Sequence, residues 1–164
     1  MPDERTLDPN ELSDMVRRHL GLLKELRPKQ IVGLIAFIGD VLDYESTEGN
    51  PWQDKYGNAA QKLVGVLEDF YGNRPDLRAD VLALSIGHES VFVRLQVIHH
   101  LLALAADGRV GLAETYAKIL LADTDEGVRI DARPVIIGGL DEFVDYGASE
   151  QFVEFVNELP HPQY

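Results

Sequence analysis

The sequence predicts an all-α protein of about eight helices. Apolar residues recur at helical spacing along most of the chain, and the period-two alternation that is typical of strands is absent. Two segments, 88–97 and 123–132, also match each other at a separation of about 35 residues, and each carries a Val-Arg pair at the start of an apolar stretch. A fixed period of this size is typical of stacked helical hairpins.

Helix boundaries follow from residues that favour the start or the end of a helix. Pro28 suits a first helical position, Gly87 and Gly108 follow apolar stretches, and Ser149 is a candidate N-cap. The predicted helices are 10–26, 28–43, 58–71, 76–86, 89–106, 110–122, 126–138 and 149–159. A polar stretch at 45–57 is the longest predicted loop.

The apolar faces of these helices predict the core. The helix at 28–43 is apolar on most sides, so we expect it to lie deep in the core. Leu84 and Ile119 belong to apolar faces and are expected to be buried. Pro134 lies inside a predicted helix, where it removes a backbone donor and clashes with the preceding turn, so we expect a kink or a division there.

The two matched segments resemble the HEAT-repeat family. The family signature is an Asp in the turn between two helices, a Val-Arg at the start of the second helix and a small apolar residue three positions later. The segment 123–132 matches all three features. The segment 88–97 keeps Val93 and Arg94 but has His88 in place of the Asp.

This resemblance implies antiparallel helical hairpins stacked as a short superhelix, in a single domain over 1–164, with the repeat signal strongest at 75–140. In this family the second helices line the concave side. The resemblance therefore implies a partner-binding surface made by exposed side chains on those helices, namely Arg94, Gln96, His100, Arg129 and Arg133. Most members are scaffolds or binding modules and some are enzymes, so the fold alone does not choose between these functions.

The charge is strongly acidic and unevenly distributed. The net charge is −13, which repels phosphate backbones and so disfavours direct binding to nucleic acid. No Lys or Arg follows Arg133, whereas six acidic residues do, among them Glu150, Glu154 and Glu158. This acidity suits a basic partner, and it also suits a solvated surface or a salt-rich cytosol.

The potential metal motifs fail on spacing. Cysteine is absent, and the adjacent His99 and His100 would point about 100° apart on a helix. The Asp-x-Asp-x-Gly pattern that begins at Asp123 lacks the later ligands of a calcium loop, because Pro134 stands where a Glu is required. We expect Asp123 instead to cap a helix and to contact a basic group such as Arg94.

The predicted loop offers a different kind of site. Tyr44, Trp52 and Tyr56 cluster there, close in sequence to the carboxylates of Asp40 and Asp43. An exposed aromatic residue can anchor a partner, which makes Trp52 a candidate partner-binding residue. The same aromatics can also pack under the neighbouring helices, and the carboxylates can simply mark a helix end that runs into solvent.

These observations predict a non-enzymatic protein–protein interaction module, without catalytic, metal or cofactor sites, that binds a basic protein. An inhibitor or immunity-type protein is a special case of this prediction. Two alternatives stay open, namely a small-ligand-binding protein or enzyme with its site at 44–56, and a structural subunit of a larger assembly. The longest apolar run, 31–38, is too short to span a bilayer, so we expect a cytoplasmic protein without membrane association.

Overall fold

A computed structural model describes residues 26–46 and 63–160, with only the backbone for 41–46. Over these ranges the chain forms eight helices and no strand, which confirms the all-α prediction. The helices are α1 (Pro28–Ser46), α2 (63–72), α3 (Pro75–Ser85), α4 (Val91–Ala106), α5 (Val110–Leu121), α6 (Glu126–Gly138), α7 (Leu140–Asp145) and α8 (Glu150–Asn157). The helix predicted at 10–26 and the loop predicted at 45–57 lie almost entirely outside the described residues.

The chain separates after Leu84 into two compact units, so a single domain over 1–164 stays a prediction. In the first unit, Arg78 donates to the carbonyl oxygen of Gly72 at 2.6 Å and so closes the turn between α2 and α3. Tyr71 is fully buried there, and burial together with the charge of Glu68 raises the pKa of its hydroxyl. The largest buried apolar side chains of this unit are Ile31, Ile35, Leu67 and Leu82.

Helix α1 lies less deep than its composition predicts. Ile31 and Ile35 are completely buried, but Phe37 is 65% exposed and Leu34 is exposed as well. The expectation of a helix buried on most sides is therefore wrong, because burying one face is sufficient to anchor a helix. Leu84 and Ile119 are exposed for the same reason, and their predicted burial is also wrong.

In the second unit consecutive helices pack against each other, and α4 and α6 also pack against the next helix but one. Helix α4 contacts α5, α6 and α7, and α5 contacts α6. Helix α8 contacts α6 and α7. This contact pattern is the one expected of stacked helical hairpins, while membership of the HEAT family remains a resemblance.

Two turns of this unit depend on glycine. Gly108 has φ +87° and follows α4, as the sequence predicts for the end of that helix. Gly147 has φ +99° and lies between α7 and α8. A residue with a side chain would be strained at either position, because positive φ is unfavourable for residues that carry a Cβ atom.

Pro134 does not divide its helix. Helix α6 is continuous from Glu126 to Gly138, so of the two predicted outcomes, a kink or a division, the division does not occur. Pro134 is exposed, as is Ile130, whose carbonyl would otherwise accept from residue 134. On this face water can take the place of the missing N–H donor, which explains how the helix accommodates the proline.

Candidate functional site

The turn between α5 and α6 is organised around Asp123. The Nε and Nη2 atoms of Arg94 donate to the two carboxylate oxygens of Asp123 at 2.8 and 3.0 Å. The backbone N–H of Asp125 donates to the same carboxylate at 2.8 Å, and Arg129 donates to the main-chain carbonyl of Asp123. The predicted contact between Asp123 and Arg94 is thus confirmed, and its two parallel hydrogen bonds are a strong form of carboxylate–guanidinium pairing.

The electrostatics of Asp123 follow from this geometry. Burial by itself would raise the pKa of the carboxyl group, which is only 5% exposed. The hydrogen bonds from Arg94 and from the Asp125 N–H, together with the charges of Arg94 and Arg129, outweigh burial and hold the pKa below its ordinary value. The oxygen of Asp125 accepts from the N–H of Val128 at 3.1 Å and caps α6. The expectation that Asp123 caps a helix is therefore wrong, because its carboxylate accepts from Arg94 and from the Asp125 N–H instead.

Arg94 is also committed to the turn that precedes its own helix. Its Nη1 donates to the carbonyl oxygens of His88 and Glu89 at 2.8 and 3.1 Å. Through these contacts and the pair with Asp123, the guanidinium of Arg94 links two turns of the second unit. The Arg94 side chain is 13% exposed. The expectation that Arg94 is an exposed surface residue is therefore wrong, because the scaffold already uses its hydrogen-bonding groups.

Two other side chains predicted to be exposed are buried. Gln96 is 7% and His100 is 8% exposed, so this part of the prediction is also wrong. The Nε2 of Gln96 donates to the carbonyl of Phe92 at 3.2 Å, which satisfies the amide inside the unit. The neighbouring His99 is exposed, so the two histidines of the pair lie in different surroundings.

Arg129 and Arg133 are half-buried on α6, and each donates to a main-chain carbonyl. The carbonyl that Arg133 contacts belongs to Pro160, and the Nε of Arg133 is buried without a partner among the described residues. Trp52, the remaining aromatic candidate, lies outside the described residues, as does nearly all of the site considered at 44–56. The proposed concave surface therefore loses most of its exposed polar groups.

The acidic side chains that follow Arg133 are all exposed. We call them the acidic surface, and they are Asp141, Glu142, Asp145, Glu150, Glu154 and Glu158. None of their carboxylates forms an ion pair or a hydrogen bond with any side chain in the described part of the chain. Residues 126–160 contain eight acidic residues and only two basic ones, and both of these arginines contact carbonyls.

Burial of the opposite faces of α7 and α8 turns the acidic residues outward. Phe143 and Phe152 are fully buried and meet edge to face, with ring centroids 5.3 Å apart. The predicted N-cap is confirmed, since the hydroxyl of Ser149 accepts from the N–H of Phe152 at 3.1 Å. The same hydroxyl donates to Glu114 at 2.6 Å, which fixes the start of α8 to α5.

Helix α7 carries part of the acidic surface, and the sequence pattern did not predict it. It is only six residues long, too short for a stretch of helical periodicity to stand out. The signals that could have found it are the glycines at both ends, Gly139 and Gly147, and the spacing of Leu140 and Phe143. It adds two exposed apolar side chains to the acidic surface, Val144 and Tyr146.

Other kinds of site find little support in these parts of the chain. No group of three His, Asp or Glu side chains within 26–40 and 63–160 is arranged to hold a metal ion. Nor do these ranges contain a helix that is both long enough and apolar enough to cross a membrane. No protein-family model, curated protein or solved structure matches the chain.

Proposed function

We propose that the protein is a non-enzymatic interaction module that captures a basic protein through the acidic surface on α7 and α8. An inhibitor or immunity-type protein that neutralises a basic target is the special case that this chemistry suits best. The proposal includes a cytoplasmic location, which the absence of cysteine supports. It also includes a HEAT-like scaffold, which the Asp123–Arg94 pair and the helix contacts support.

The observation that carries the proposal is a repeated spacing of like charges on α7 and α8, which works against local stability even though the acids in the first turns suit the helix dipole. Asp141 and Asp145 are four residues apart, and Glu150, Glu154 and Glu158 continue the same spacing on α8. Like charges at this spacing on a helix repel each other by about 0.2–0.5 kcal/mol per pair. Glu158 also places a negative charge at the C-terminal end of α8, where the helix dipole disfavours it.

A cationic partner would reverse each of these costs. Positive groups placed against the acidic surface would relieve the repulsion along α7 and α8 and neutralise the charge at the end of α8. Electrostatic complementarity of this kind mainly increases the rate of association and the selectivity for the correct partner. It also makes association sensitive to salt, because exposed charges are screened within about 8–10 Å at physiological ionic strength.

The test is a pull-down from host lysate at low and at moderate salt, with three tagged proteins compared by mass spectrometry. The first is the wild type, and the second carries Glu150→Lys, Glu154→Lys and Glu158→Lys. The third is a matched control with the same change of net charge at exposed sites of the first unit, Asp40→Lys, Asp69→Lys and Asp80→Lys.

We expect a basic protein to be enriched by the wild type and by the control variant, and to be lost with the α8 variant. We also expect moderate salt to reduce its capture. A partner that the α8 variant retains as well as the wild type would contradict the proposal. Equal loss with the α8 variant and with the control would show that overall charge, and not the acidic surface, is responsible.

A further inference from the structure

The exposed face of α7 combines an aromatic ring with carboxylates. Tyr146 is 44% exposed, and its N–H donates to the carbonyl of Glu142 at 3.0 Å, so the two residues are one helical turn apart. Side chains at this spacing lie on the same face of a helix. Around the helix, the exposed Asp141 and Asp145 lie between Glu142 on one side and Val144 on the other. The outer face of α7 is therefore acidic, and it is bordered by Val144 on one side and by Tyr146 on the other.

No described cation lies over the Tyr146 ring, although the chain places cations on two other rings. The Nζ of Lys118 lies 5.2 Å from the ring centre of Phe155, and the guanidinium of Arg74 lies 5.3 Å from that of Phe70. These distances are typical of cation–π contacts. Tyr146 therefore presents an exposed ring beside a carboxylate, which is the combination that a partner cation can use.

We propose that the outer face of α7 is the docking site for an arginine side chain of the basic partner, with the guanidinium stacked on Tyr146 and paired with Glu142. This inference rests on the proposed function and names the side chain that the acidic surface recognises. Arginine fits better than lysine because its planar guanidinium can stack on a ring and donate to a carboxylate at the same time. A second copy of this chain fits poorly, because its own acidic surface would be repelled.

The site is held in place before any partner arrives. Phe143 is buried at the back of α7, and the N–H of Ala148 donates to its carbonyl at 2.9 Å. Before the N-terminus of α7, Gly139 lies close to the side chain of Leu102. After its C-terminus, Gly147 adopts a positive φ and turns the chain toward α8. The backbone that carries Tyr146 is therefore held on both sides, so little backbone freedom is lost on binding, which favours affinity.

The test compares two fluorescein-labelled peptides that differ only in having four arginines or four lysines, alternating with serine. Their affinities are measured by fluorescence anisotropy at low salt for the wild type, Tyr146→Ala, Tyr146→Phe and the α8 charge-reversal variant. We expect the arginine peptide to bind the wild type about two- to fivefold more tightly than the lysine peptide, the size of one exposed cation–π contact. Tyr146→Ala should abolish this preference, and Tyr146→Phe, which keeps the ring, should retain it.

The outcomes separate this inference from the proposed function. A preference for arginine that survives Tyr146→Ala, or no preference in the wild type, overturns the inference. If charge reversal on α8 still weakens binding of both peptides, the proposed function stands without it. If the wild type and the charge-reversal variant bind each peptide with the same affinity, or if neither protein binds a peptide, the result contradicts both the inference and the proposed function. Circular dichroism of each variant checks that the total helix content is unchanged.

Discussion

Arg94 holds both carboxylate oxygens of Asp123, at 2.8 and 3.0 Å, and so ties the start of α4 to the turn between α5 and α6. The two residues are far apart in sequence, and Arg94 belongs to the first of the two matched segments whereas Asp123 begins the second. Arg129 repeats the role of Arg94 one segment later, since each guanidinium donates to a carbonyl six residues before it. The similarity between the segments therefore reflects a repeated way of closing a turn.

Removing the carboxylate should destabilise the second unit. We expect Asp123→Ala to lower the free energy of unfolding by about 2–3 kcal/mol, because Arg94 would keep a largely buried charge without its partner. Asp123→Asn should cost less, since its amide oxygen can still accept from Arg94 and from the Asp125 N–H. Urea unfolding followed by circular dichroism measures both, with Thr124→Ala, at an exposed neighbouring position, as the control. A loss no larger than that of the control would contradict the role assigned to the pair.

The same pair predicts a loss of stability in acid. The pKa of Asp123 is lowered in the folded protein, whereas an aspartate in the unfolded chain titrates near pH 4. The contribution of the carboxylate to stability is therefore complete above about pH 4 and is lost as the pH falls through the lower, folded-state pKa. We expect the difference in unfolding free energy between wild type and Asp123→Asn to be constant at higher pH and to shrink below about pH 4. A difference that stays constant through this range would show that the pKa is not lowered.

Replacing either of two adjacent glycines by alanine should change the stability in opposite directions. A Cβ atom at Gly139 would lie 2.7 Å from the carbonyl oxygen of Val135 and 3.2 Å from Leu102, so Gly139→Ala should be destabilising. A Cβ atom at Gly138 meets nothing within 4 Å, so Gly138→Ala should be neutral or stabilising by up to about 1 kcal/mol through helix propensity. Thermal unfolding of the two variants provides the comparison. Equal effects would mean that α7 does not approach α4 as closely as the structure shows.

The cap of α8 should contribute measurably to its attachment. We expect Ser149→Ala to cost about 1–2 kcal/mol, because it removes the acceptor for the Phe152 N–H and the donor to Glu114. Ser149→Thr keeps a hydroxyl and should cost less. Hydrogen exchange of the α8 amides, measured beside global unfolding, shows whether the loss is local. Unchanged protection in Ser149→Ala would argue against this role.

Reversing one charge on α8 should move stability and binding in opposite directions. Glu154→Lys removes two like-charge contacts, with Glu150 and Glu158, and creates an opposite-charge pair with each, so stability should rise by about 0.5–1 kcal/mol. Capture of the basic partner should fall in the same variant. Unfolding and pull-down measurements on the same preparation test both, with Glu154→Gln as an intermediate case. Loss of stability together with loss of capture would leave the binding role without support.

Local sequence was sufficient to predict much of the helical framework. The helix start at Pro28, the turn at Gly108 that follows α4 and the cap at Ser149 depend on the conformational and hydrogen-bonding preferences of single residues, and these preferences can be read from the sequence. The Asp123–Arg94 contact was also predictable, because a repeated motif carries information about residues that are distant in the chain. The outward direction of Glu150, Glu154 and Glu158 was likewise visible as a charged face opposite Phe152 and Val156.

Only the tertiary structure decided which helix faces are buried. Gln96 and His100 are polar residues that a pattern assigns to the surface, yet neighbouring helices cover them, whereas Phe37 is apolar and exposed. Helix α7 was missed because six residues carry too little periodicity, and packing of Phe143 against Phe152 stabilises it instead. Spacing along a helix determines which residues share a face. What covers that face is determined by residues elsewhere in the chain, and no local pattern contains that information.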